Sequence, residues 1–177
     1  ILDLDPKKKV DILLEPISEK FRFLAYADHI MQEKTEEEPY DLYFSLDCSD
    51  KERLGAFQEL FEEARFTICV DHHISNQGFG DLRFIDADAS STCEILYDIL
   101  EEKKISFDTA QCLYLGIVHD TGVFKHSNTT RKVMEIAGAL IDKGVRPDFI
   151  IDETFYKKTY IQNQILGRAL MESILLL

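Results

Sequence analysis

Two short apolar runs with a helical segment between them restrict the fold of this chain more than any other feature. Residues 40–46 and 66–70 are rich in aromatic and β-branched side chains, and both are predicted strands. Ser49 and Glu52 have the spacing of a capping box, and apolar residues follow at helical intervals to Ala64. A strand, a helix and a second strand in this order are typical of a parallel α/β sheet.

The remaining segments agree with this fold class. Residues 10–14 form a further apolar run, which predicts a strand near the beginning of the chain. Ser91 and Glu94 repeat the capping-box spacing. Predicted helices cover residues 91–103, 108 to the break at Gly122, 129 to the stop at Gly144, and 161–177. We therefore expect one α/β domain in which helices flank a parallel β-sheet.

Composition excludes several classes of protein. The net charge of −13 repels long polyanions, because duplex binding depends on lysine and arginine contacts with phosphates. No apolar stretch approaches the roughly 18 residues of a membrane span, and the first residues lack the order of a signal peptide. We expect a cytoplasmic protein that binds neither duplex nucleic acid nor a membrane. Its cysteines lack metal-site spacing and are predicted to be reduced, buried thiols: Cys48, Cys69, Cys93 and Cys112.

Carboxylates and imidazoles follow the ends of the predicted elements. They are Asp47 after the first strand, Asp71-His72-His73 after the second, and His119 with Asp120 at the end of a helix. Because the carboxyl ends of neighbouring parallel strands meet at one edge of a sheet, Asp47 and His72 are expected side by side. Oxygen and nitrogen ligands without thiolates suit Mn²⁺ or Mg²⁺. Two such ions, bridged by Asp47, would support phosphoester hydrolysis.

Structural roles remain open for several of these residues. A single aspartate after a strand, such as Asp47, is often a turn residue or a helix cap. His119 would also serve as a cation at a helix C-terminus. Ser90, Ser91 and residues 127–130 are most simply N-caps, and the same helix N-termini suit phosphate binding.

Four ordered motifs resemble those of a known family. They are Leu46-Asp-Cys-Ser-Asp50, Val70-Asp-His-His73, Ala89-Ser-Ser-Thr-Cys-Glu94 and Gly116-Ile-Val-His-Asp-Thr-Gly122, the last continued by Phe124-Lys-His-Ser-Asn-Thr-Thr130. In this order they resemble the DHH phosphoesterase family, in particular its bacterial nanoRNase branch. The resemblance covers roughly residues 40–145.

The resemblance implies a hydrolase with two Mn²⁺ ions, for which Mg²⁺ or Co²⁺ are alternatives. Asp47 would bridge the ions, and His72 and Asp120 would bind one of them. Asp71 would orient the neighbouring ligands, so that Asp71 and His73 are the predicted catalytic residues. The predicted contacts with the substrate phosphate are His73, Ser90, Ser91 and Asn128.

The resemblance also implies substrates and missing parts. Short oligoribonucleotides, cleaved to 5′-mononucleotides, and the nucleoside bisphosphate 3′-phosphoadenosine 5′-phosphate are the expected substrates. Cyclic dinucleotides, inorganic pyrophosphate and a catalytically inactive binding fragment are the alternatives. The family's first motif, a strand followed by further metal ligands, has no counterpart before Val10. We therefore expect residues 1–160 to be an incomplete catalytic domain, inactive by itself. Residues 161–177 would begin a linker helix towards an absent substrate-binding domain, and a homodimer is left open.

Overall fold

Strands and helices alternate in the first half of the structure, and helices follow in the second. The structure, a computed structural model, describes residues 5, 7–33 and 38–173. The strands are β1 (Ile12–Leu13), β2 (Ile30–Met31), β3 (Tyr43–Leu46), β4 (Thr67–Asp71) and β5 (Leu82–Ile85). The α-helices are α1 (Gln58–Glu63), α2 (Thr92–Ile99), α3 (Phe107–Asp120), α4 (Arg131–Asp142), α5 (Pro147–Ile151) and α6 (Tyr160–Glu172). Short 3₁₀ helices lie at Glu19–Phe21, Ala27–His29, Lys51–Phe57 and Glu102–Lys104, and a π-helical turn lies at Asp152–Tyr156.

The central sheet contains β3, β4 and β5 in that order, all parallel, with β4 in the middle. Leu46 is paired with Val70, and Asp71 is paired with Ile85. The carboxyl ends of the three strands therefore lie at one edge. β1 and β2 form a separate two-stranded parallel sheet. The predicted α/β fold with a parallel sheet flanked by helices is confirmed.

Apolar clusters cover both faces of the sheet because successive side chains of β4 point to opposite sides. Cys69 packs with Phe61 and Phe79 on one face. Val70 packs with Ala89 and Ile95 on the other. A shift of one residue would exchange the two sets of side chains, so this packing fixes the register of β4. A larger cluster joins α3, α4 and α5, and its fully buried members are Ala110, Ile117, Val118, Val133, Leu140 and Ile150.

Two predicted helix starts are confirmed by their capping hydrogen bonds. Ser91 Oγ accepts from the Glu94 amide at 3.2 Å, and Thr130 Oγ1 accepts from the Val133 amide at 3.2 Å. α4 ends before Gly144, whose φ of 99° lies in the left-handed region that glycine adopts without strain.

The start predicted at Ser49 is wrong. Asp50 is the cap instead, and its Oδ1 accepts from the Arg53 amide at 3.0 Å. The segment that follows is a 3₁₀ helix interrupted at Gly55, whose φ is 54°. α1 is consequently short, because the helical hydrogen-bond ladder restarts only after this break.

Other predicted boundaries also differ from the structure. α3 begins one residue before Asp108, because Ser106 supplies its cap by accepting from the Thr109 amide at 3.2 Å. α2 ends at Ile99 instead of near residue 103, since a separate 3₁₀ turn follows. The strand predicted at residues 10–14 contracts to β1, and the sequence interpretation missed β2 and β5. Residues 174–177, the last part of the helix predicted from residue 161, lie outside the described residues.

The four cysteines carry free thiols, as predicted. Cys69 is buried and two others are partly buried, but Cys112 is exposed, because α3 turns this position away from the core. Burial raises the pKa of the Cys93 thiol to about 12, which keeps it protonated and unreactive. Among the described residues, no helix combines the length and the apolar character that crossing a membrane requires.

Candidate metal centre

Asp47 is positioned by an unusual backbone conformation directly after β3. Its φ is 62°, in the left-handed region that an aspartate adopts more readily than most residues but at some cost. The Asp47 amide donates to the Val70 carbonyl at 3.0 Å, which ties the residue to β4. Thr92 Oγ1, at the start of α2, donates to Asp47 Oδ1 at 2.7 Å. The carboxylate is therefore held at the carboxyl edge of the sheet with about half of its side chain exposed.

His72 lies between two carboxylates. Its Nε2 is 3.6 Å from Asp47 Oδ1 and 3.6 Å from Asp120 Oδ2. Both distances exceed those of ordinary hydrogen bonds. Two ligands of one divalent ion lie roughly 3.0–3.5 Å apart when the metal–ligand bonds are about 2.0–2.2 Å. The spacing therefore suits a shared cation, and the predicted proximity of Asp47 and His72 is confirmed.

His73 joins the same cluster. One ligand atom each from Asp47, His72 and His73 lies within 4.8 Å of the others. His73 Nδ1 is 4.0 Å from Asp47 Oδ1 and 2.7 Å from Asp71 Oδ1. The most compact set of donors among the described residues thus contains His73, while Asp120 adjoins the set through His72. Which of these residues bind an ion stays a prediction.

Asp71 is fully buried, and both of its carboxylate oxygens have partners. Oδ1 receives the hydrogen bond from His73, and Oδ2 accepts from Asn76 Nδ2 at 2.7 Å. Burial alone would raise the pKa of Asp71, but these two hydrogen bonds outweigh it and hold the pKa below its usual value. The hydrogen bond between Asp71 and His73 is also the main reason why the pKa of His73 is raised. Asp71 is thus hydrogen-bonded to both His73 and Asn76, and its role in orienting metal ligands stays a prediction.

Asn76 is a residue of the site that the sequence interpretation missed. Besides Asp71, its Nδ2 contacts the Cys48 carbonyl at 3.1 Å, and its Oδ1 accepts from the Gly78 amide at 2.7 Å. It therefore links the loops that follow β3 and β4. The only signal in the sequence is a polar amide a few residues after a strand that ends in Asp71, and such residues are common in ordinary turns.

Asp120, the last residue of α3, is the third carboxylate of the centre. Burial, followed by repulsion from Asp47, raises the pKa of Asp120 above its usual value. Its side chain is about one third exposed. Two carboxylates that repel each other across a shared imidazole are the arrangement that a divalent cation would relieve.

His119 lies outside the centre, although it is the neighbour of Asp120. Its Nε2 is 3.0 Å from Thr154 Oγ1, and its ring packs edge-on against Phe21 and Phe155. Burial lowers the pKa of His119, so the neutral ring is favoured. This environment supports neither a metal ligand nor the helix-terminal cation that the sequence left open.

The residues predicted to contact phosphate lie beside the centre. Ser90 and Ser91 are fully buried, and the Ser91 hydroxyl serves as the cap of α2. Asn128 Nδ2 donates to the Ser90 carbonyl at 3.0 Å and to the Asp120 carbonyl at 3.2 Å. Ser90 Oγ and Asn128 Oδ1 are buried without a hydrogen-bond partner. Both serines are buried, and the Ser91 hydroxyl and the Ser90 carbonyl take part in hydrogen bonds within the protein. Their contact with a phosphate stays a prediction.

A comparison with known protein families identifies the family of this chain. The family model described as "DHH family, N-terminal domain" matches residues 5–117, which include Asp47, the Asp71-His72-His73 tripeptide and the Ser90–Ser91 turn. The chain belongs to the DHH family. The match ends inside α3, so Asp120 and Asn128 of this DHH-family chain lie beyond it.

Two bacterial proteins are similar to this DHH-family chain. The bifunctional oligoribonuclease and PAP phosphatase NrnA of Bacillus subtilis (strain 168) is 34% identical over 116 residues, which are 62% of this chain and 36% of the relative. The probable bifunctional oligoribonuclease and PAP phosphatase NrnA of Streptococcus mutans is 36% identical over 110 residues, 54% of this chain and 36% of the relative. The chain thus spans about a third of the length of these relatives.

A solved structure confirms the fold of the DHH-family chain. An exopolyphosphatase-related protein from Bacteroides fragilis superposes with a TM-score of 0.82 at 19% identity. The likeness covers 98% of this chain and 55% of the other. At this identity it supports the fold alone.

Proposed function

We propose that this domain forms part of a two-ion phosphoesterase centre that hydrolyses short oligoribonucleotides to 5′-mononucleotides and removes phosphate from 3′-phosphoadenosine 5′-phosphate. The observation that carries the proposal is the position of His72, whose Nε2 is 3.6 Å from carboxylate oxygens of both Asp47 and Asp120. The relatives from Bacillus subtilis and Streptococcus mutans bear these two activities in their names.

The donor set supports Mn²⁺ as the ion, with Mg²⁺ or Co²⁺ as alternatives, because carboxylate and imidazole groups contribute and no thiolate does. Bound ions would polarise the phosphoryl group and stabilise the charge that develops on it. Asp47 would bridge two ions, and His72 and Asp120 would bind one of them. Asp71 would fix the ring of His73 through Nδ1, which leaves Nε2 for contact with the substrate phosphate.

The remaining ligands belong, in this proposal, to a strand beside β3. Within the described residues, β3 is an edge strand, and β1 and β2 pair in a separate sheet. Tyr40 Oη donates to Asp11 Oδ2 at 2.9 Å, so the residues before β3 and β1 lie close together. A parallel strand between the two sheets would bring its carboxyl end next to Asp47. Such a strand is where the family's first motif would place the second half of the centre.

α6 would lead from this catalytic domain to a substrate-binding domain. None of its residues is buried, and Ile161, Ile165 and Leu170 are each more than 60% exposed. Ile161 and Ile165 lie one turn apart on the same side of α6, and exposed apolar side chains of this kind need a partner surface. A following domain would cover them, and a second copy of the chain is the alternative.

Metal binding by this chain tests the centre directly. We expect wild type to bind Mn²⁺ in isothermal titration calorimetry. Loss of a residue that only hydrogen-bonds to a metal ligand typically weakens metal affinity by roughly 10–100-fold. His72→Ala should weaken it by more, because His72 is itself a proposed ligand. His29→Ala is the matched control, because His29 is exposed and pairs with Tyr26 away from the centre. Equal affinities in wild type and His72→Ala would overturn the proposed centre.

A substrate panel with the full-length protein tests the reaction. Mn²⁺-dependent release of mononucleotides from a diribonucleotide and of phosphate from 3′-phosphoadenosine 5′-phosphate is expected, and it should be abolished by Asp71→Ala, His72→Ala or Asp120→Ala. Preferred cleavage of cyclic dinucleotides or pyrophosphate would reassign the substrate. Metal binding without hydrolysis of any of these compounds would make the protein a binding module and contradict the catalytic proposal.

A further inference from the structure

The turn formed by residues 89–92, hereafter the brace turn, contacts two of the candidate metal ligands. The Ala89 carbonyl is 3.4 Å from His72 Nδ1, the ring nitrogen opposite the one that faces the carboxylates. Thr92 Oγ1 donates to Asp47 Oδ1 at 2.7 Å. A hydrogen-bond partner on the outer nitrogen of a histidine sets the orientation of its ring. The brace turn is therefore placed to orient Asp47 and His72 together.

The same turn reaches the third ligand through Asn128. The Ser90 carbonyl accepts from Asn128 Nδ2, which also donates to the Asp120 carbonyl. The position of the Ser90 main chain consequently affects both sides of the centre. Ser90 is fully buried, so water cannot replace a hydrogen bond that its main chain loses.

Glu94 holds the brace turn from inside the protein. Its Oε2 accepts from the Ser90 amide at 2.7 Å, and only 5% of its side chain is exposed. In a capping box the glutamate would bond to the amide of the cap residue itself, here Ser91. Glu94 instead reaches one residue further back. This bond therefore restrains the turn before the helix as well as the start of α2.

Lys132, on α4, pairs with the Glu94 carboxylate in this buried position. Its Nζ is 3.0 Å from Glu94 Oε1 and 2.6 Å from Asp98 Oδ2. A buried carboxylate is costly unless it is paired and hydrogen-bonded, and Glu94 has both kinds of partner. Asp98, the second partner of this lysine, is about half exposed.

We propose that Glu94 is a positioning residue for the metal centre. By fixing the Ser90 amide, it holds the brace turn in the geometry from which Ala89 and Thr92 orient His72 and Asp47. The inference rests on the proposed metal centre. Outer partners of metal ligands typically contribute about 10–100-fold to metal affinity, which sets the size of the expected effect.

Two conservative substitutions distinguish the effect of the length of the Glu94 side chain from the effect of its charge. Glu94→Gln keeps an oxygen acceptor at the same distance from the Ser90 amide, whereas Glu94→Asp keeps the charge but is one methylene too short. We expect Mn²⁺ affinity within about 3-fold of wild type for Glu94→Gln and a loss of about 10-fold or more for Glu94→Asp and Glu94→Ala. Hydrogen exchange of the Ser90 amide should accelerate in Glu94→Asp and Glu94→Ala and stay slow in Glu94→Gln.

Controls distinguish positioning from general destabilisation. Ser106→Ala removes the cap of α3 far along that helix from Asp120, and it should lower thermal stability without changing Mn²⁺ affinity. Asp98→Asn removes the outer partner of Lys132 and should leave the affinity unchanged.

Three outcomes would overturn the inference, and they differ from one another. Wild-type affinity in both Glu94→Asp and Glu94→Ala would overturn the role of Glu94 while the metal centre stands. An equal loss in Glu94→Ala and Ser106→Ala would show a structural role only. Failure of wild type to bind Mn²⁺ would overturn the centre itself. If Glu94→Ala does not fold, the comparison of Glu94→Asp with Glu94→Gln decides.

Discussion

The two edges of the central sheet differ in how their polar groups are satisfied. At the amino edge, Asp81 Oδ2 accepts from both the amide and the hydroxyl of Thr67, each at 2.8 Å, and the Asp81 amide donates back to Thr67 Oγ1 at 3.0 Å. At the carboxyl edge, Asp47 and Asp120 face one imidazole at 3.6 Å without a direct hydrogen bond to it. The amino edge stabilises the sheet, whereas the carboxyl edge has the arrangement that the proposed metal centre requires.

Backbone strain is concentrated at the carboxyl edge as well. Gly122, Val123 and Phe124 follow the end of α3 with φ angles of 55°, 61° and 60°. Only the glycine adopts this left-handed region without strain, and a β-branched valine is rare there. The fully buried Thr121 supports the turn, because its hydroxyl accepts from the Phe124 amide at 3.1 Å. Strain of this kind persists where the surrounding structure enforces it, often at functional sites.

The largest expected effect is that of Gly116→Ala, which alters the packing behind the carboxyl edge. An added Cβ at Gly116 would overlap the Cys93 sulfur and come within 3.2 Å of Cys93 Cβ. α2 and α3 would separate, and these helices bring Thr92 and Asp120 to the centre. We expect unfolding to become easier by about 1–3 kcal/mol in urea titrations, together with a loss of Mn²⁺ affinity.

Gly138→Ala is the matched control for this substitution. Gly138 lies within α4, and an added Cβ meets nothing within 4 Å. Alanine should therefore stabilise the helix by about 0.5–1 kcal/mol and leave Mn²⁺ affinity unchanged. If Gly116→Ala lowered stability but preserved metal affinity, the carboxyl edge would be less dependent on the helix packing than the structure indicates.

The sequence predicted the parts of this site that follow from strand and helix ends. The pairing of β3 with β4 and the proximity of Asp47 to His72 depend on local apolar runs and on the geometry of parallel strands. Both could therefore be predicted from the sequence. The contacts of Asn76 could not be predicted, because they arise only when the loop after β4 folds back onto Cys48.

The missed elements have a similar explanation. β5 contains Arg83 and is only partly buried, so it lacks the apolar run that marks a central strand. The cap Asp50 lies next to Ser49, and the cap Ser106 lies two residues before Asp108. The choice between such similar polar residues depends on tertiary packing.

Asn76→Ala separates the two edges more selectively. The substitution removes the hydrogen bonds to Asp71 and to the Cys48 carbonyl while leaving the sheet and its amino edge intact. Asp71 would lose one of its two partners and hold His73 less firmly. We expect Mn²⁺ affinity to fall by about 10-fold, with a smaller change in stability. Ser75→Ala, at an exposed neighbouring position, should change neither quantity. A purely structural role of Asn76 would appear as lost stability with unchanged metal affinity.

The smallest expected effect is that of Asp81→Asn at the amino edge, and it should affect stability without affecting Mn²⁺ affinity. The side-chain and main-chain hydrogen bonds from Thr67 lower the pKa of Asp81 from its ordinary value of about 3.9. The unfolded chain therefore binds this proton more tightly than the folded protein does. The stabilisation is complete above the ordinary pKa and disappears as the pH falls through the lowered folded value. Wild type should accordingly be more stable than Asp81→Asn in urea at pH 7, since a carboxylate accepts stronger hydrogen bonds than an amide does. The stabilities of wild type and Asp81→Asn should converge as the pH falls below about 3.9.

Asp88→Asn, at another exposed aspartate, is the control and should match wild type throughout. A stability difference that persisted to the lowest pH would show that Asp81 acts through packing and not through its charge.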